Sequence, residues 1–135
     1  MTNKDFNWVM ARDACSLPKC FAALKSKAER DVKTRNSLLS KDSASTFGFG
    51  DNGDSFIVLT EPHGPRGRSA TFKLADEHIE VTDEKGAIKF KVALTLNADG
   101  DCMFRIDDDD EEYNSWYVRK KALEDVFFPT ENVNV

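Results

Sequence analysis

Between residues 86 and 106 the chain alternates strictly, and no other feature limits its fold as much. Ile88, Phe90, Val92, Leu94 and Leu96 are interleaved with Lys89, Lys91, Ala93 and Thr95. A period of two is that of a β-strand with one buried and one wet face. After Asn97-Ala98-Asp99-Gly100-Asp101 the alternation resumes with Cys102, Phe104 and Ile106. Setting Leu96 opposite Cys102, Leu94 opposite Phe104 and Val92 opposite Ile106 collects the apolar side chains on one face. A slip of one residue would set Met103 and Arg105 against that row, so burial selects the register. On this pattern Cys102 belongs to the core beside Phe104, and Lys89 and Lys91 belong to the wet face.

The strands before this hairpin follow from similar signals. Phe47 and Phe49 flank Gly48, and Asp51-Asn52-Gly53-Asp54 is a turn sequence. Phe56-Ile57-Val58-Leu59-Thr60 is a short apolar run with β-branched residues, as in a central strand. Phe72 and Leu74 then face Val81 and Ile79 across a turn at Ala75 to His78. Ile79 and Val81 face Phe90 and Ile88 across Asp83-Glu84-Lys85-Gly86, with Gly86 suited to a left-handed position. These pieces make an antiparallel meander of about five strands within residues 46–118.

One buried sheet face requires a cover. Ser16 can cap a helix, and Pro18 fits its first turn. Phe21, Leu24, Ala28 and Val32 then form a stripe at spacings of three and four. The helix is expected over residues 16–39. Before it lies an arm, residues 1–15, where Phe6, Trp8, Val9 and Met10 form a short helix or a docked extended segment. Trp116, Tyr117 and Val118 read as a strand or a helix entry. Ala122, Leu123, Val126 and Phe127 give a terminal helix over residues 119–128, which Pro129 stops. The whole chain, residues 1–135, reads as a single α+β domain: an amphipathic helix on an antiparallel sheet, with a short C-terminal helix.

Ten Phe and two Trp supply a real core for a chain of this length. No apolar run approaches the roughly 18 residues of a membrane span. The first residues carry neither a signal-peptide pattern nor a lipidation motif, which gives a cytoplasmic expectation. Three cysteines, Cys15, Cys20 and Cys102, agree with it, because an odd count builds no disulfide framework. The net charge of −5 hides an asymmetry. Residues 1–40 hold eight Lys/Arg against four Asp/Glu, and residues 41–135 hold eleven against twenty.

That asymmetry supplies the candidate sites. Asp107, Asp108, Asp109, Asp110, Glu111 and Glu112 are six consecutive carboxylates. They can steer a basic protein partner, or gather round a hard cation. An EF-hand alignment fails, because Gly100 at its sixth position puts Thr95 first and Ile106 twelfth. Lys27 and Arg30 stand for the basic helix face, which could meet phosphates. The acidity of the rest of the chain argues against nucleic acid. In the loop from Glu61 to Arg68, Arg66 and Arg68 lie among glycines, a composition able to approach a small anion. His63 and His78 both fall in turns, and no nucleophile elbow, zinc-ligand spacing or phosphate loop occurs. The sequence therefore names no catalytic residue, metal ligand or cofactor.

These observations lead to a non-enzymatic binding or accessory protein that acts through contacts with another protein. Self-association is a further expectation, the basic helix of one copy meeting the acidic run of another. The alternatives are a binder of small anions or nucleic acid through the 61–68 loop and basic helix, then a metal-dependent enzyme using the acidic run.

Overall fold

In a computed structural model, which describes residues 7–41, 46–61 and 67–128, the alternating segments form one antiparallel sheet. Helices α1 (Trp8–Ala14) and α2 (Leu17–Ser37) come first. Six strands follow: β1 (Thr46–Asp51), β2 (Ser55–Glu61), β3 (Ser69–Leu74), β4 (Ile79–Thr82), β5 (Ile88–Leu96) and β6 (Cys102–Ile106). Helix α3 (Ser115–Phe127) closes the chain. Each strand pairs with the next, so the sheet is a plain meander with one strand more than expected. Among the described residues, no helix is long and apolar enough to cross a membrane.

The β5–β6 hairpin has the register that burial demands, with Leu96 opposite Cys102, Leu94 opposite Phe104 and Val92 opposite Ile106. Asn97 fixes its turn by accepting the N–H groups of Asp99 and Asp101. The β3–β4 pairing is also as read, Phe72 to Val81 and Leu74 to Ile79. The β4–β5 register differs. Val81 meets Phe90 and Ile79 meets Val92, two residues away from the expected pairs. That two-residue offset preserves the face, so hydrophobic alternation cannot reveal it, and between the Val81–Phe90 and Thr82–Ile88 pairs Lys89 is an extra, bulged residue. The bulge leaves Ile88 exposed and turns Lys89 towards α3, where its Nζ donates to the Ala122 carbonyl at 3.0 Å. Lys89 is therefore not on the wet face, whereas Lys91 is exposed.

Both long helices lie on the same side of the sheet. Ser16 caps α2 by accepting the Lys19 N–H, and Phe21, Leu24, Ala28 and Val32 are all buried. From α3 come Val118, Ala122, Leu123 and Val126. Between helices and sheet, the Phe56 ring stacks on Phe72 at 4.5 Å and touches Phe21 at 5.3 Å. The sheet ends at Ile106 and α3 begins at Ser115, four residues earlier than expected. Aromatic and β-branched Trp116, Tyr117 and Val118 look strand-like, but Val118 extends the Ala122 and Val126 stripe, and packing overrides propensity.

Candidate functional site

Helices α2 and α3 run side by side because Arg119 bridges them. Its Nε donates to Asp31 at 2.7 Å, and its terminal nitrogen donates to the Ser115 hydroxyl. A groove of about 620 Å³ lies along this seam. Leu123 is at its base, and Leu38, Trp116 and Phe128 are on its sides. These last three are 71%, 56% and 59% exposed, far beyond what apolar groups of a helical seam normally show.

The cations along the groove are not equivalent. Arg119 and Lys120 have carboxylate partners, Asp31 and Glu124. Arg30 and Arg35 make no ion pair among the described residues. Arg35 lies against two rings, 4.3 Å from Phe128 and 5.7 Å from Phe47, and donates to the Phe127 carbonyl. Its buried Nε has no partner among the described residues. Next to the groove, Lys27 and Arg30 face Asn114, Ser115 and Arg119 around a smaller hollow of about 330 Å³. The structure thus gathers Lys27 and Arg30, two of the sequence candidates, at the start of α3.

It does not gather the others there. Asp107 to Glu112 form the exposed connection from β6 to α3. They are more ordered than repulsion among six carboxylates suggests. Asp107 exchanges backbone and side-chain hydrogen bonds with Lys91, at a positive φ of 51°. Asp109 accepts the Glu111 N–H and the Tyr113 hydroxyl, and Tyr113 bridges back to Phe104. The Tyr113 hydrogen bond and then the Glu111 N–H hold the Asp109 carboxyl below its ordinary value. In return, that carboxylate pushes the Tyr113 hydroxyl up to about 12. No group of three His, Cys, Asp or Glu side chains that could hold a metal ion occurs among the described residues. Arg68 lies 4.0 Å from Glu84, and Arg66 and His63 lie outside the described residues. His78, just before β4, pairs with Glu80 within that strand.

The cysteines depart most from expectation. Cys102 has the right face but stands at the start of β6, exposed instead of buried. It is disulfide-bonded to Cys15, whose Cα is 5.3 Å from its own. Cys20 keeps a free thiol, 3.7 Å from the Cys102 sulfur.

Leu38, Trp116, Phe128 and Arg35 were not singled out from the sequence. The available signal was that Leu38 and Trp116 fall off the buried stripes of their helices, which leaves a large apolar group without a place in the core. No family model matches this chain, and neither does any curated protein or solved structure.

Proposed function

We propose that this chain is a non-enzymatic binding or accessory protein, and that it grips another protein in the α2–α3 groove. The observation that carries this reading is the exposed Trp116–Leu38–Phe128 surface beside Arg30 and Arg35. Trp and Arg dominate the energetic centres of protein interfaces, because both bring large contact area and directed polar groups. The chemistry that fits is a segment with an apolar side chain for the groove and a carboxylate for the arginines. The exposed run from Asp107 to Glu112 adds a second, oppositely charged patch that would speed the approach of a basic region.

The test uses three baits in lysate from the native source: the original protein, Trp116→Ala, and a variant with Asp108, Asp109 and Asp110 changed to Asn. We expect polypeptides held by the original protein to be lost from Trp116→Ala. The Asn variant should keep them more weakly, with the difference vanishing at high salt. Identical capture by the original protein and Trp116→Ala would remove the groove from consideration. A concentration-dependent mass for the original protein alone would make the partner a second copy.

A second reading, a binder of small anions, is favoured by Lys27, Arg30 and Arg119 around the smaller hollow. Phosphate at millimolar concentration should then raise the melting temperature, and should not do so in Arg30→Ala.

A further inference from the structure

Three sulfur atoms meet where the α1–α2 junction reaches the start of β6. Cys15 and Cys102 are bonded, and the Cys20 thiol stands in contact with the Cys102 sulfur at 3.7 Å. Cys15 is also the residue that ends α1, its N–H bonding back to Ala11 and Arg12. Helix α1 buries none of its residues, and Trp8, Val9 and Met10 are more than half exposed. The disulfide is therefore its covalent attachment to the sheet. Cys20 is anchored differently, one position before buried Phe21 in the first turns of α2.

We propose that Cys15, Cys20 and Cys102 form a thiol–disulfide exchange site that attaches α1 to the sheet in one state and releases it in the other. The Cys20 thiol gives its proton to water, and its thiolate attacks the Cys102 sulfur. A Cys20–Cys102 bond forms as the Cys15–Cys102 bond breaks. The electron pair leaves on the Cys15 sulfur, which then takes up a proton. One disulfide and one thiol are present before and after, so no oxidant or reductant is consumed. In the second state Cys15 is a free thiol, and α1, with its Trp8-Val9-Met10 surface, is joined covalently to the body only through the chain at Ser16. Burial pushes the Cys20 thiol up, with Lys27 acting in the opposite direction, so exchange accelerates as pH rises.

Peptide mapping of the oxidised full chain tests this directly, because Lys19 puts Cys15 and Cys20 in different tryptic peptides. The protein is held at about pH 8.5, near the ordinary thiol value, then alkylated with iodoacetamide and digested without reduction. We expect Cys15–Cys102 and Cys20–Cys102 linkages together, with alkyl label divided between Cys20 and Cys15. Cys15→Ser oxidised with glutathione disulfide should form the Cys20–Cys102 bond. Cys20→Ser should hold the first linkage alone. In the folded proteins, brief trypsin treatment should cut after Arg12 several-fold faster in Cys15→Ser than in Cys20→Ser. Label confined to Cys20 in the original protein would overturn the proposal. So would free Cys20 and Cys102 in oxidised Cys15→Ser, or equal cutting of the two variants.

Discussion

Asn36 does for the β1 edge what another strand would otherwise do. Its side-chain amide donates to the Phe47 carbonyl and accepts the Phe47 N–H, both at 2.9 Å. An edge strand presents such groups in pairs, and leaving them unmet beside a core is costly. We expect Asn36→Ala to lower the unfolding free energy by about 1–3 kcal/mol, measured by urea titration. Asn36→Asp should be no better, because it loses the donor and sets a carboxylate against a carbonyl oxygen. Phe56 tests the centre of the fold. Fully buried and in contact with three other rings, it should cost about 3–5 kcal/mol on change to Ala. An unchanged midpoint would mean that the aromatic cluster is not the core. The two residues differ in legibility. Phe56 opens an apolar run and declares itself, whereas Asn36 is a polar residue at the next turn of the α2 stripe after Val32, and nothing local says that Phe47 is its partner.

At the scale of elements, what could be read was what repeats. Alternation fixed the faces of β5 from Phe90 onward and of β6, and spacing fixed the buried side of α2, because burial imposes both periods. It could not fix depth or bulges. Cys102 points to the correct face yet lies past the edge of the core, and the extra residue at Lys89, opposite the Val81/Thr82 step, exchanges the faces of Ile88 and Lys89. The connection from Asp107 to Glu112 was legible as exposed but not as hydrogen-bonded, since its order depends on Lys91 and Tyr113. That order has a titration signature. The Asp109 carboxylate raises the Tyr113 hydroxyl to about 12, so its contribution to stability is complete below the unfolded tyrosine value and fades as pH rises through the folded one. The lowered Asp109 carboxyl works in the other direction: its contribution is present above the unfolded aspartate value and is lost as pH falls through the folded one. We expect the phenolate absorbance difference between the original protein and Tyr113→Phe to rise near pH 12. In an Asp109→Asn background the same difference should rise close to the ordinary value of about 10. The same midpoint in both backgrounds would show that the hydrogen bond does not form in solution.

For the whole molecule, the decisive contact is also the one furthest from any local pattern, since Cys15 and Cys102 are 87 residues apart. Cross-linking over such a distance removes conformations from the unfolded chain, and the loop-entropy relation gives about 4–5 kcal/mol. The alternative Cys20–Cys102 bond would span 82 residues. Because the entropy follows the logarithm of loop length, the two linkages should differ in this contribution by less than about 0.1 kcal/mol. The balance between them then depends on how well α1 docks, and a helix without a buried residue supplies little. We expect a reducing phosphine to lower the urea-unfolding free energy of the oxidised original protein by about 4–5 kcal/mol. Oxidised Cys15→Ser should lose nearly the same amount, within about 0.5 kcal/mol, because its remaining pair closes almost the same loop. A variant indifferent to reduction would mean that Cys20 cannot reach Cys102 covalently. Equal losses would mean that the body of the fold is secured by either bond, and that only the attachment of α1 distinguishes them.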